Sequence, residues 1–110
     1  MLIALDFDGT YTLDPSFWMG FIRQAQERGH FVHIVTLRHA EIDRLANEME
    51  FINRGVTVVY CDGHSKLEVA KERGLEYDIW IEDDPRCVSQ GTRLNEQQLE
   101  AWRKRDRHRG

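Results

Sequence analysis

Asp6 and Asp8 stand two apart at the end of the apolar run 2–7, so in an extended backbone their side chains leave on the same side. A second group of acids, Glu82-Asp83-Asp84, closes another short apolar run at 78–81. Carboxylates that converge in one crevice repel. Either some keep their protons or a cation neutralises them, and all-oxygen ligation favours a hard ion such as magnesium. Taken singly, each aspartate reads as the cap of a following helix. Taken together, opposite a threonine and a lysine, they point to a site. Thr36 follows the run 31–35, where its hydroxyl and the next backbone amides, those of Leu37 and Arg38, can hold an anion. Lys66 falls in the first turn of a helix, against the helix dipole, a placement that suits a point charge aimed at a phosphoryl group. Read alone, Lys66 is a surface lysine and Thr36 a strand-end hydroxyl.

The elements that must position these groups alternate. Apolar runs at 2–7, 31–36, 56–60 and 78–81 read as buried parallel strands. Between the first two, Asp14 and Pro15 open a helix whose apolar face is Phe17, Trp18, Phe21, Ile22 and Ala25, stopped by Gly29. A second helix is predicted from His39 to Asn53, with Ile42, Leu45, Ala46, Met49 and Ile52 on its buried face and Gly55 past its end. Ser65-Lys66-Leu67-Glu68 is a capping box that starts a third helix ending near Gly74, and a last helix is read at 94–107. Strands alternating with helices across short loops require right-handed crossovers, hence an α/β fold of three layers, Rossmann-like, with a mostly parallel sheet of four to five strands. Ligands in such sheets bind beyond the carboxyl ends of the strands, where Asp6 to Thr10, Thr36 to Arg38, Cys61 to Gly63 and Glu82 to Asp84 all lie.

The chain of 110 residues is the length of one domain, with a core at about 1–90 and a helix and basic tail at 91–110. Hydrophobic residues at 41% and charged residues at 31% exclude a disordered or collagen-like chain. No apolar run approaches the ~20 residues of a membrane span, so no membrane partner is expected. The opening Met-Leu-Ile-Ala-Leu lacks the basic start and cleavage site of a signal peptide, and Cys61 and Cys87 share no CxxC spacing. A cytoplasmic location is the expectation. The net charge of -4 speaks against nonspecific nucleic-acid binding, whereas the basic stretch from Trp102 onward leaves a nucleic-acid contact open. The five histidines form no zinc pattern, and neither a GxSxG elbow nor a P-loop is present.

Asp6-Phe7-Asp8-Gly9-Thr10, Thr36, Lys66 and Glu82-Asp83-Asp84-Pro85 together resemble the four motifs of the haloacid dehalogenase superfamily, in order and in strand-end placement, over about residues 1–90. The resemblance implies a magnesium-dependent phosphomonoester hydrolase. Asp6 would be the nucleophile, forming an aspartyl-phosphate, and Asp8 the general acid and base. Magnesium would be held by Asp6, the Asp8 backbone carbonyl and Asp83, with Asp84 assisting. Thr36 and Lys66 would bind the phosphoryl group together with Gly9, Thr10, Leu37 and Arg38, and Gly9 would permit the tight turn after the nucleophile. The chain departs from the family at Tyr11, where an aliphatic residue is usual; here a phenol would stiffen the loop or face the substrate. Only 10–13 and 61–64 occupy the places where family members insert cap domains. The resemblance therefore implies a capless member with an open site and a large phosphorylated substrate, and Arg38 and His64 become candidates for contacting the leaving group.

Two alternatives stand beside this reading. One is a nucleic-acid-end (3′-phosphate) phosphatase that grips backbone phosphates with the basic tail, with a steep salt dependence of binding. The other is a non-catalytic module that binds phosphate and metal. Receiver-like regulatory domains carry acids, a hydroxyl and a lysine on a parallel sheet, but in a different chain order from Thr36 after the second strand and Lys66 after the third.

Overall fold

Residues 1–90 are described by the structure, a computed structural model. A strand covered on both sides needs apolar side chains on both, and Leu2–Asp6 (β1) supplies them, with Ile3 and Leu5 in one core cluster and Ala4 in the other. Phe31–Thr36 (β2) pairs with it in parallel, Asp6 opposite Val35. Thr57–Tyr60 (β3) continues the sheet outside β2, with Tyr60 opposite Thr36. Ile79–Ile81 (β4) lies on the other side of β1, Ile81 opposite Leu5. The order is β3-β2-β1-β4 and every pairing is parallel. The strand order therefore reverses at β1, whose carboxyl end is where ligands bind in sheets of this kind.

Helices Pro15–Glu27 (α1) and Glu48–Asn53 (α2) cover one face, their Met19, Ile22, Ala25 and Phe51 packing with Ile3, Leu5, Val32 and Ile34. Lys66–Glu72 (α3) covers the other, where Val69 packs with Ala4, Val35, Val59 and Cys61. The three-layer α/β/α reading holds. The caps hold as well: the Asp14 carboxylate accepts from Phe17 N ahead of Pro15, and Ser65 Oγ accepts from Glu68 N. A single 3-10 turn, Tyr11–Leu13, lies between β1 and α1, and a four-residue helix, Arg86–Ser89 (α4), follows β4.

Two expectations need correction. The second helix does not begin at His39. Its would-be first turns spend their amides elsewhere: His39 N donates to Asp43 Oδ1 at 2.6 Å, Ala40 N to Asp62 Oδ1 at 3.1 Å and Leu45 N to the Tyr60 hydroxyl at 3.1 Å. Side chains that satisfy backbone donors in this way compete with the helix, which forms only from Glu48. The buried face changes with it, Phe51 and Leu45 pointing inward while Ala46, Met49 and Ile52 face out. On α1, Phe17 is exposed and Met19 takes its place in the core, with Trp18 and Phe21 half-buried beside it. The helix read at 94–107 and the basic tail lie outside the described residues.

Phe51 is fully buried and meets the rings of Phe7 and Tyr11 edge-on, at 6.2 Å and 4.9 Å between centroids. Phe51→Ala should therefore lower stability by about 3–5 kcal/mol, whereas exposed Met49→Ala should stay within about 0.5 kcal/mol of wild type. Urea unfolding of both variants checks this; equal losses would return Met49 to the buried face.

Candidate active site

Ser65 caps α3, so Lys66 is held in its first turn, and the side chain reaches across the sheet end to the last residue of β1 and the residue after β4. Its ammonium donates to Asp6 Oδ1 at 2.7 Å and to Glu82 Oε1 at 2.5 Å, with all three side chains at most 8% exposed. A buried ammonium is costly unless paired, and here it has two carboxylates. Burial alone would depress its pKa; the hydrogen bonds and charges of Asp6 and Glu82 outweigh that and raise it. The second Asp6 oxygen accepts from the Thr10 hydroxyl at 3.1 Å. Burial first, then hydrogen bonding with Glu82, pushes the Asp6 carboxyl up to about 7 against the pull of Lys66.

Asp83 completes an acidic group: one carboxylate oxygen each from Asp6, Glu82 and Asp83 lie within 4.8 Å of one another. Hydrogen bonding with the Asp6 carboxyl holds Asp83 below the usual carboxylate range. Glu82 Oε2 is buried with no hydrogen-bond partner among the described residues. Gly9 makes room for this group. Its φ is +81°, and a β-carbon there would stand 2.5 Å from Asp83 Oδ2, so a side chain at this turn would strain the backbone and strike the carboxylate.

Asp8 is half-exposed and turned to Arg38, whose Nη2 and Nε donate to its two oxygens at 2.7 and 2.8 Å. The same guanidinium lies 5.1 Å from the centre of the Phe7 ring, and Arg38 N donates to Thr36 Oγ1 at 3.2 Å. Thr36 is thus buried with its hydroxyl facing the loop after β2. That loop is tied to the one after β3, since Cys61, Asp62 and Gly63 donate their amides to the carbonyls of Thr36, Arg38 and Leu37. Asp62, at φ 51°, is the one non-glycine with positive φ among the described residues, and its carboxylate accepts from Ala40 N.

The structure thus brings Asp6, Lys66, Thr10, Gly9 and Asp83 together at the carboxyl end of β1. Leu37 is half-buried and His64 exposed on the neighbouring loops. Two further residues have their contacts away from the acidic group. Asp84 accepts from Arg86 N at 3.1 Å and pairs with its guanidinium at 2.9 Å, which takes it out of the acidic group. Tyr11 is buried, its ring stacked on Phe7 at 5.6 Å, a placement that suits a phenol stiffening the loop after β1. Glu82, placed at the strand end by the sequence but given no role there, is the second partner of Lys66. Register was the signal: with Leu5 opposite Ile81, the next residues, Asp6 and Glu82, fall level.

No family model, curated protein or solved structure matches the chain. Among the described residues, no helix is long and apolar enough to cross a membrane.

Two outcomes follow from the buried charges. With its pKa raised from 3.8 to about 7, Asp6 keeps in the folded protein a proton that the unfolded chain has lost. Its contribution to stability is therefore full below about pH 4 and lost as pH rises through 7. Relative to Asp6→Asn, metal-free wild type should lose stability between pH 5 and pH 8, read from urea midpoints; parallel pH curves would show Asp6 to be unperturbed. Lys66→Met, which leaves two buried carboxylates unpaired, should cost about 3–5 kcal/mol at pH 8 and less at pH 5, where Asp6 is protonated.

Proposed function

We propose that the chain is a magnesium-dependent phosphomonoester hydrolase of the haloacid dehalogenase kind, working through Asp6. The observation that carries this reading is the Asp6–Lys66 contact: a carboxylate and a buried ammonium meet at the carboxyl end of the central strand, beside Thr36 and two more acids. A phosphoryl group there would be held by the Thr36 hydroxyl and the Lys66 ammonium, which would share its hydrogen bonds between Asp6 and the phosphoryl oxygens.

An Asp6 oxygen attacks phosphorus in line, the bond to the leaving oxygen breaks, and that oxygen takes a proton from the Asp8 carboxyl. Asp8, now ionised, accepts a proton from water, and the hydroxyl so formed attacks the aspartyl-phosphate, releasing phosphate and the Asp6 carboxylate. For this Asp8 must part from Arg38, and the incoming phosphoryl group is the anion that can draw the guanidinium away, since Arg binds phosphate and carboxylate by the same fork.

Asp6, Asp83 and Glu82 suit a magnesium ion: the donors are all oxygen, and Glu82 Oε2 is a buried oxygen without a partner among the described residues. The family resemblance adds the Asp8 backbone carbonyl, while Asp84, engaged by Arg86, drops out of the set. Bound there, the ion would neutralise the charge of the phosphoryl oxygens. A cytoplasmic setting belongs to the same reading, and both Cys61 and Cys87 are free thiols.

The non-catalytic alternative is favoured by one observation, the Asp8–Arg38 pair, which holds the acid away from the Asp6 cluster. The nucleic-acid-end alternative rests on the tail at 102–110, outside the described residues. Phosphate release from nucleoside monophosphates, sugar phosphates and a 3′-phosphorylated oligonucleotide, with and without chelator, separates the three. Asp6→Asn and chelation should each abolish release, and Asp8→Asn should lower it by about 100-fold or more. Release from the oligonucleotide alone would favour the nucleic-acid reading. No release above the Asp6→Asn background on any substrate would favour the binding module.

A further inference from the structure

On the face of the sheet opposite α3, among the described residues, a cavity of about 490 Å3 opens between the start of α1, the loop after β1 and the start of α2. That volume is within the range of small-molecule sites. Its wall is mixed. Phe7 and Met19 are apolar and buried, while Arg23 from α1 and Glu50 from α2 bring one charge of each sign. Neither charge forms an ion pair or side-chain hydrogen bond with any described residue, although both line the same space. Tyr11, which also lines the cavity, is only 3% exposed, and its hydroxyl has no hydrogen bond to any described residue. The ring is buried while the hydroxyl opens into the cavity, where it can bond an occupant. The charge of the Glu50 carboxylate reaches it, adding to the burial that raises its pKa, yet the two are not bonded.

A phenol, a carboxylate and a guanidinium around an apolar floor match one kind of molecule. We propose that this cavity binds a small zwitterion of the amino-acid type, its ammonium on Glu50 and the Tyr11 hydroxyl, its carboxylate on Arg23 and an apolar side chain against Met19 and Phe7. A zwitterion's charges match both of these exposed groups at once, which neither a simple anion nor a simple cation does. The occupant would rest on the loop that carries Asp8 and Gly9, because Thr12, also in the wall, accepts from Gly9 N at 3.0 Å through its hydroxyl and donates its amide to the Phe7 carbonyl at 3.1 Å. The site is therefore placed to stiffen that loop from behind. It does not depend on the chemistry assigned to Asp6.

The test uses the full chain with the common free amino acids, followed by thermal unfolding and calorimetric titration, with isovalerate and isobutylamine as probes that each keep one charge of valine. An apolar amino acid should bind and raise the unfolding temperature, and each one-charge probe should bind roughly tenfold or more weakly. Arg23→Gln should remove the preference for a carboxylate, and Glu50→Gln the preference for an ammonium. Both residues are exposed, so both variants should unfold as wild type does without ligand. Absence of binding by every amino acid would overturn the proposal, as would affinities that neither substitution changes.

Discussion

Lys66 is a group that three parts of the chain share. Its ammonium is buried at the junction of β1, α3 and β4, and it is tolerable there only because Asp6 and Glu82 both reach it. The carboxylates in turn depend on the cation, since two acids level on neighbouring strands would otherwise repel. This mutual need fixes how α3 approaches the sheet and where β4 ends, while burial, against the pull of Lys66, leaves Asp6 with a proton affinity well above that of a free aspartate. The cluster is thus a structural joint as well as the candidate site, and substitutions there act on both.

Around that joint the loops are tied to each other more than to the core. Arg38 bonds to Asp8, Thr36, the Asp43 carbonyl and the Asp62 amide and lies against the Phe7 ring, so Asp8 is governed by the strand next door. The loops after β2 and β3 are laced by backbone hydrogen bonds, which makes the rim beside Thr36 a rigid border. Rigidity on that side contrasts with the other, where the acids of 82–84 split between the buried cluster and the Arg86 turn.

Much of this was legible in the sequence, and the reasons differ from element to element. Strands β1 to β4 announce themselves because a parallel sheet covered on both sides requires short continuous apolar runs, and the Asp14 and Ser65 caps are local chemistry. Asp6, Thr36 and Lys66 were visible as polar residues at strand ends and in the first turn of a helix. The start of α2 was not, because the amides of His39, Ala40 and Leu45 are satisfied by Asp43, Asp62 and Tyr60, two of which arrive from another strand or its loop. Nor could three consecutive acids be sorted into Glu82 for Lys66, Asp83 for the cluster and Asp84 for Arg86, since only the register of β4 against β1 decides it. Arg38 reaching Asp8 is likewise a contact between loops 30 residues apart.

The position of β4 has a consequence for how the chain is made. Of the four strands β1 comes earliest in the chain and lies inside the sheet, yet its neighbour on one side comes from 79–81, and Leu2 N is bonded to the Asp78 carboxylate 76 residues away. Until that stretch leaves the ribosome, the apolar residues Ile3, Ala4 and Leu5 present an unpaired edge, and Lys66 has one acid instead of two. Closing so long a loop is slow, and an open edge of this composition is a template for pairing between chains. A nascent or truncated chain ending before residue 79 is accordingly the form most exposed to aggregation, and completion of the sheet is the same event as completion of the charge cluster.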